Sequence, residues 1–226
     1  MIQPEHQRRA YLEALGIDVW LPREESGAQA EDVPETDAHP DVLTWDDLRA
    51  AVAACTSCSL HTSRTQTVFG VGDPQADWMI IGEAPGAEED RRGEPFVGRA
   101  GKLLDEMLRA VGQSRDRVFI ANILKCRPPN NRDPKAEESA ACRGYLQRQI
   151  ELIEPKIILA VGRIAAQLLL ETDEPVGRLR GSRHQLGDTP LVVTYHPAYL
   201  LRSPSQKRKA WDDLCLANDL MREASV

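Results

Sequence analysis

The chain has 226 residues, 42% of them hydrophobic, which suffices for one well-buried core with an appendage and is too short for two large domains. No basic amino-terminal stretch runs into an apolar one and no apolar run approaches bilayer length, so the sequence predicts neither a leader nor a membrane span, and a cytoplasmic location. A formal net charge of −7 argues against a polyanionic partner only if the charge is evenly spread, and it is not.

Residues 1–21 are expected to form a short amino-terminal segment, with a helix over 5–15 stopped by Gly16. Residues 22–44 read as an acidic, disordered linker without periodicity. From 22 to 47 nine acids face the single base Arg23, which leaves the rest of the chain near +1. The folded domain is expected over 45–226, with Thr44 as the N-cap of a helix running toward Cys55 and Asp46 and Asp47 in its first turn. Apolar, strand-like runs at 78–81, 118–124, 157–161 and 191–195 then alternate with helical patterns. Those patterns lie at 103–111, from Pro134 onward, at 164–170 and around Trp211 and Leu214. Such alternation predicts an α/β fold, a mostly parallel sheet covered by helices on both faces. In open sheets of this type ligands bind outside the carboxyl ends of the strands. The loop Gly82-Glu83-Ala84-Pro85-Gly86 follows the first strand, Asn122 lies near the end of the second, and His196-Pro197 follows the last. Three polar features from distant sequence should therefore meet on one rim.

In a reducing compartment five cysteines read as thiols rather than disulfides. Cys55 and Cys58 form a C-x2-C pair, while Cys126 and Cys142 arrive from far along the chain. Together the four read as ligands of a metal centre that ties the start of the domain to its middle, and four thiolates suit zinc or an iron-sulfur cluster alike. Cys215, alone in a late helical pattern, is expected to be a small buried apolar side chain. Residues 176–211 carry Arg178, Arg180, Arg183, Arg202, Lys207, Arg208 and Lys209 with only Asp188 opposing them. That composition fits a phosphate-contacting face and equally a solvated basic surface. Taken singly, residues 82–86 would also serve as a tight strand-to-helix turn, Asn122 as a satisfied polar group and His196 as a structural histidine. A GxG at 70–72 is too short to carry meaning, and no phosphate-binding loop with Gly-Lys-Ser/Thr occurs.

The motifs gain specificity as an ordered set. Gly82-Glu83-Ala84-Pro85-Gly86, Glu89-Asp90, Pro95-Phe96-Val97-Gly98-Arg99-Ala100-Gly101-Lys102-Leu103-Leu104, Asn122, Lys125-Cys126-Arg127-Pro128-Pro129-Asn130-Asn131-Arg132 and His196-Pro197-Ala198-Tyr199-Leu200-Leu201-Arg202 follow one another with the cysteines between. The set strongly resembles the family 4 uracil-DNA glycosylases, the iron-sulfur branch of that superfamily. The resemblance covers roughly residues 45–222 and implies a three-layer α/β/α sandwich around a four-stranded parallel sheet. It also implies a monofunctional glycosylase that flips deoxyuridine out of DNA and hydrolyses its N-glycosidic bond, releasing uracil for base excision repair.

The same resemblance distributes roles. Backbone groups of Gly82, Glu83, Ala84, Pro85 and Gly86 would hold the base, and Phe96 would stack on it. Asn122 would accept from uracil N3–H and donate to O4, a pattern that cytosine reverses. His196 would donate to O2 as the leaving anion grows, and Glu83 would orient water and favour an oxocarbenium-like sugar. Tyr199, Leu200 and Leu201 would be wedges entering the duplex, with Arg132, Arg202, Lys207 and Arg208 near DNA phosphates. Cys55, Cys58, Cys126 and Cys142 would hold a [4Fe-4S] cluster. A related branch instead traps uracil-DNA through a histidine in an inserted basic loop, but here Lys125 runs directly into Cys126-Arg127-Pro128-Pro129 with no histidine. A zinc-bound nucleic-acid module without catalysis is the other alternative, and it has no need of Glu83, Phe96, Asn122 and His196 together. The protein is expected to be a monomer. The resemblance does not reach the first 44 residues, where residues 1–21, with Trp20, fit equally a segment that docks on a repair or replication partner through the linker and one that folds back on the domain.

Overall fold

A computed structural model describes residues 43–224; the expectations for the amino-terminal helix and most of the acidic linker lie outside the described residues. Leu43 packs against the core and its carbonyl accepts from Arg148 Nε at 2.9 Å. Thr44 caps α1 (Trp45–Ala54) as the sequence predicts: Asp47 N donates to Thr44 Oγ1 at 3.4 Å, and the Asp47 carboxylate accepts in return.

The sheet is built from β1 (Val71–Gly72), β2 (Trp78–Gly82), β3 (Phe119–Asn122), β4 (Ile157–Val161), β5 (Arg183–Leu186) and β6 (Thr189–Thr194), in the spatial order β1-β3-β2-β4-β6-β5. β3, β2, β4 and β6 are mutually parallel, which gives the expected four-stranded parallel centre. Two short antiparallel strands, β1 against β3 and β5 against β6, extend it at the edges. β2, β3 and β4 are buried along their whole length because helices cover both faces, and their runs of Trp-Met-Ile-Ile, Phe-Ile-Ala and Ile-Ile-Leu-Ala-Val supply the continuous apolar surface this requires.

Side chains alternate between the two faces. Met79, Ile81, Phe119, Ala121, Ile158, Ala160, Leu191 and Val193 pack with α1, with α4 (Ala136–Ile153) and with α5 (Arg163–Leu170). Trp78, Ile80, Ile120, Ile157, Leu159, Val161 and Val192 pack on the other face with α3 (Arg99–Ala110), α7 (Pro197–Arg202) and α8 (Lys207–Glu223). Two shorter helices, α2 (Ala87–Arg92) and α6 (Val176–Leu179), sit in connections. α4, expected to open at Pro134, begins two residues later, because Glu138 reaches back to accept from Lys135 N at 2.9 Å. Cys215, expected to be buried, is half-buried.

One buried polar cluster ties β6 to α8. Asp213, fully buried, takes a two-pronged pair from Arg180, Nη2 at 2.6 Å and Nε at 3.0 Å, and accepts from Thr194 Oγ1 at 2.9 Å. The Arg180 guanidinium lies 5.6 Å from the centroid of the Tyr195 ring, and Tyr195 packs on Tyr199 with centroids 5.1 Å apart. Arg180, counted above with the basic stretch, is therefore a structural cation. Asp213→Ala strands that cation half out of water and is expected to destabilise the domain by about 3 kcal/mol, with Asp213→Asn losing less. The check is the chemical-unfolding midpoint; an unchanged midpoint in Asp213→Ala would remove the cluster from the list of stabilising interactions.

Candidate active site and metal centre

The chain runs from β2 to β3 on one side and then crosses back over β2 to β4 on the other, so the strand order reverses at β2 and a crevice opens at its carboxyl end. Gly82 closes β2 in register with Asn122, the last residue of β3. The pairing continues past the strand ends, with Ile123 N donating to Gly82 O at 2.9 Å and Leu124 N to Glu83 O at 3.1 Å. Gly82 has no room for a side chain: a Cβ there would lie 2.4 Å from Asn122 Oδ1 and 2.6 Å from Phe96 Cζ. The same figures show that the Asn122 carboxamide, the Phe96 ring and the Gly82 backbone form one continuous surface.

Asn122 is buried, yet among the described residues its carboxamide makes no hydrogen bond to the protein. Its backbone is held firmly. Buried Lys125 donates from Nζ to Asn122 O at 2.9 Å and to Gln149 Oε1 at 2.6 Å, and Gln149 Nε2 donates to Phe69 O at 2.9 Å. Burial pulls the Lys125 ammonium down to about 7. The carboxamide of this buried residue is thus left without a protein partner while its backbone is fixed, which leaves it available to a ligand.

His196 follows β6 and caps α7. Its Nδ1 accepts from Ala198 N at 3.1 Å, which places the ring proton on Nε2. Burial, and after it the positive charge of Arg202, lowers its pKa to about 4, so at neutral pH it is an uncharged N–H donor. The ring lies 5.6 Å from that of Phe96 and 27° from parallel. Glu83, at the start of the 82–86 loop, is pushed up to about 7 by burial and by the charge of Asp133, against the opposing pull of Arg163. Arg163 Nη2 and Asp133 Oδ2 are paired at 2.7 Å. Pro85 is buried, Ala84 packs against the core, and Gly86 caps α2. The sheet thus brings Gly82, Glu83, Phe96, Asn122 and His196 to one rim.

On the outer side of this rim α7 exposes Tyr199 (36%) and Leu201 (37%), whereas Leu200 is 1% exposed and packs in the core beneath α7. Leu200 therefore anchors α7 and, unlike its two neighbours, lacks the exposure that the expected wedge role requires. Arg202, Lys207 and Arg208 are exposed. Arg132 forks onto buried Glu138 at 2.8 and 2.5 Å, so its guanidinium is engaged in holding the 127–132 loop. Sequence reading missed Lys125 as a mount, and Trp211, counted there in the apolar pattern of the last helix, is 44% exposed one turn after Lys207. A lysine inside the apolar run 118–126 was the available signal for the first.

On the other side of Lys125, all four expected cysteines line one cavity together with Val52, Ser57, His61, Arg64, Lys125 and Tyr145. Cys126 and Cys142 are buried, and Cys55 and Cys58 are half-buried. Burial pushes the Cys142 thiol up to about 11 and also raises Cys126. Arg64 Nη1 donates to Cys126 Sγ at 3.0 Å. Among the described residues no group of His, Cys, Asp or Glu side chains converges as a single ion requires. Four thiols lining one cavity are a donor set that would suit an iron-sulfur cluster, and a cationic donor on one sulfur suits a thiolate ligand.

Because Gly82 is pressed against both Asn122 and Phe96, Gly82→Ala is expected to displace both and lower kcat/KM for any ligand read there by about 100-fold, the effect of misplacing a site by roughly 1 Å. Steady-state kinetics with the unfolding midpoint alongside would show it; kinetics like those of the parent would mean that the contact is not functional.

Comparisons with known proteins agree with this geometry. The sequence model of the uracil DNA glycosylase superfamily matches residues 69–215. The type-4 uracil-DNA glycosylase of Archaeoglobus fulgidus is 42% identical over 176 residues, which is 74% of this chain and 88% of that protein. The type-4 uracil-DNA glycosylase of Thermotoga maritima is 46% identical over 158 residues, 69% of this chain and 82% of that protein. A type-5 uracil-DNA glycosylase of Thermus thermophilus is 35% identical over 118 residues, covering 46% of this chain and 53% of that protein. With the family matched across most of the described domain, and with type-4 relatives this similar along most of its length, the chain belongs to the uracil DNA glycosylase superfamily and, within it, to the type-4 uracil-DNA glycosylases.

Proposed function

We propose that Asn122, Phe96, His196 and Glu83 divide the work of removing uracil from DNA, and that the open carboxamide of buried Asn122 is the observation that carries this reading. The chain is a uracil-DNA glycosylase of base excision repair, a hydrolase of N-glycosidic bonds. A base inside a duplex is out of reach, so the nucleotide must first turn out into the pocket. There the Phe96 ring offers a face for stacking and the backbone of residues 82–86 a wall. Asn122 Oδ1 accepts from N3–H and Nδ2 donates to O4; cytosine reverses both groups and would leave buried partners unpaired, at about 1–3 kcal/mol each.

Bond cleavage sends the N1–C1′ electron pair out with the base. His196, neutral and with its proton on Nε2, is suited to donate to O2 as negative charge accumulates there. Its low pKa supports action as a fixed donor that remains an uncharged imidazole. Glu83 as carboxylate favours the oxocarbenium-like sugar, orients the water whose oxygen bonds to C1′, and takes its proton. Tyr199 and Leu201 are the side chains exposed to fill the gap in the duplex, with Arg202, Lys207 and Arg208 placed for phosphates.

Cys55, Cys58, Cys126 and Cys142 are the residues that would hold a [4Fe-4S] cluster. When bound, the cluster supplies a four-point cross-link; hydrolysis of a glycosidic bond calls for no electron transfer. Cys126 and Cys142 thereby fix the 127–132 loop and α4 to the turn after α1. The reading keeps the protein monomeric and cytoplasmic, with residues 1–21 as the segment that would meet a repair or replication protein. No helix among the described residues is long and apolar enough to cross a membrane.

Release of free uracil from an oligonucleotide with one deoxyuridine, followed over several turnovers with thymine and cytosine controls, tests the whole reading. His196→Ala is expected to lose about 100- to 1000-fold in kcat. Binding without release would mean a trapping protein. Because Glu83 is ionised only above its pKa of about 7, kcat/KM should rise about tenfold per pH unit below that value and level off above it. His196, neutral above about 4, adds no limb in that range. Glu83→Gln should abolish the limb along with most of the activity; a limb that survives the substitution transfers the role to another group. Cys126→Ala should lose iron, the brown visible absorbance and thermal stability together, and a colourless variant of full stability would show that the four thiols are not a structural centre.

A further inference from the structure

We propose that Arg115, which lies outside every motif of the sequence, is a positioning residue for the uracil pocket, setting Phe96 through its backbone. The proposal rests on the reading of Phe96 as the stacking face. Phe96 has φ +54°, a left-handed conformation that a bulky residue without a local side-chain hydrogen bond adopts only when its surroundings enforce it. Backbone groups of four consecutive residues show the enforcement. Arg115 Nη2 donates to Pro95 O and Nη1 to Phe96 O at 3.2 Å. On the far side, Glu89 Oε1 accepts from Val97 N at 3.1 Å and from Gly98 N at 3.3 Å. A cation thus holds the two carbonyls before the bend and an anion the two amides after it.

The carbonyl of Phe96 also lies against the first turn of α3, where a Cβ on Gly101 would fall 1.6 Å from it. The bend is therefore seated on α3, and Asp105 of the same helix accepts from Arg115 Nη1 at 3.2 Å, fixing the guanidinium over the two carbonyls. What the bend achieves is the placing of the ring beside Gly82 and 5.6 Å from His196. Without Arg115 the two carbonyls lose their donors, and the 95–98 segment is free to relax toward ordinary backbone with the ring carried away from the rim. The guanidinium is suited to this task because its planar fork serves two adjacent acceptors at once, which an ammonium cannot do in one geometry.

The experiment compares Arg115→Met and Phe96→Ala singly and together in the cluster-containing full-length protein, by kcat/KM for uracil release and by inhibition with free uracil. Expected are a loss of at least tenfold in kcat/KM for Arg115→Met, a matching weakening of uracil inhibition, and less than a twofold further loss when Phe96 is already alanine. Affinity for an oligonucleotide carrying a tetrahydrofuran abasic site, which has no base to stack, should stay within twofold, and Arg115→Lys should recover part of the loss. Asp105→Asn, at a partly exposed site, should lose about threefold in the same Phe96-dependent way and serves if Arg115→Met folds poorly. An equal loss in both backgrounds, a parallel loss of abasic-site binding, or no loss at all would overturn the proposal. Full activity in Phe96→Ala alone would instead overturn the stacking role from which it starts.

Discussion

The register between β2 and β3 is the constraint on which the site depends. Pairing of Gly82 with Asn122 brings the end of one strand, where the chain must turn, beside the end of another, which carries the carboxamide proposed to read the base. A slip of one residue would send the carboxamide to the opposite face of the sheet, away from Phe96. The register is fixed by the buried alternation of Met79 and Ile81 on one face against Trp78 and Ile80 on the other, and by the two main-chain bonds that continue beyond the strands. Core packing and the placing of the proposed base reader are thus decided by the same few residues.

Burial then sets the charge of each polar group on and under the rim. It keeps His196 neutral, raises Glu83 into the physiological range and weakens the ammonium of Lys125. These are effects of one cause, removal from water, acting on groups of different sign. A neutral histidine can donate without first competing for a proton. A reluctant carboxylate is one that gains by accepting a proton from water. The pair Asp133 and Arg163, near Glu83 and largely in solvent, acts on it from outside with opposed signs.

Much of this was legible in the sequence, for physical reasons. Four central strands are continuous apolar runs because both their faces are covered, and Thr44 with Asp47 wrote the start of α1 in capping chemistry. Edge strands were not legible: β1 is two residues long, and β5 reads Arg-His-Gln-Leu, with exposed and half-buried positions that no apolar pattern marks. Gly82, Asn122 and His196 could be placed from strand ends alone. Leu200 could not be separated from Tyr199 and Leu201, since three consecutive residues on a helix point in three directions and only packing tells which is inward. Arg180 looked like part of a basic surface because its partner Asp213 lies in another element, and a charge is recognised as buried only once its counter-charge is found.

The column that runs from Asp213 through Arg180 and Tyr195 to Tyr199 has a mechanical meaning. A side chain that enters a stacked duplex is pushed back by the bases it parts, and a wedge on a compliant loop would fold away under that load. On the proposed reading the load on Tyr199 would pass to the Tyr195 ring, then to the guanidinium, and end on a carboxylate enclosed between β6 and α8, while Leu200 packs beneath the same short helix. His196 stands at the first turn of that helix. The strut proposed to resist the DNA also seats His196, the proposed donor to uracil, so on this reading the effort of opening the helix would be borne by the sheet and would not displace that group.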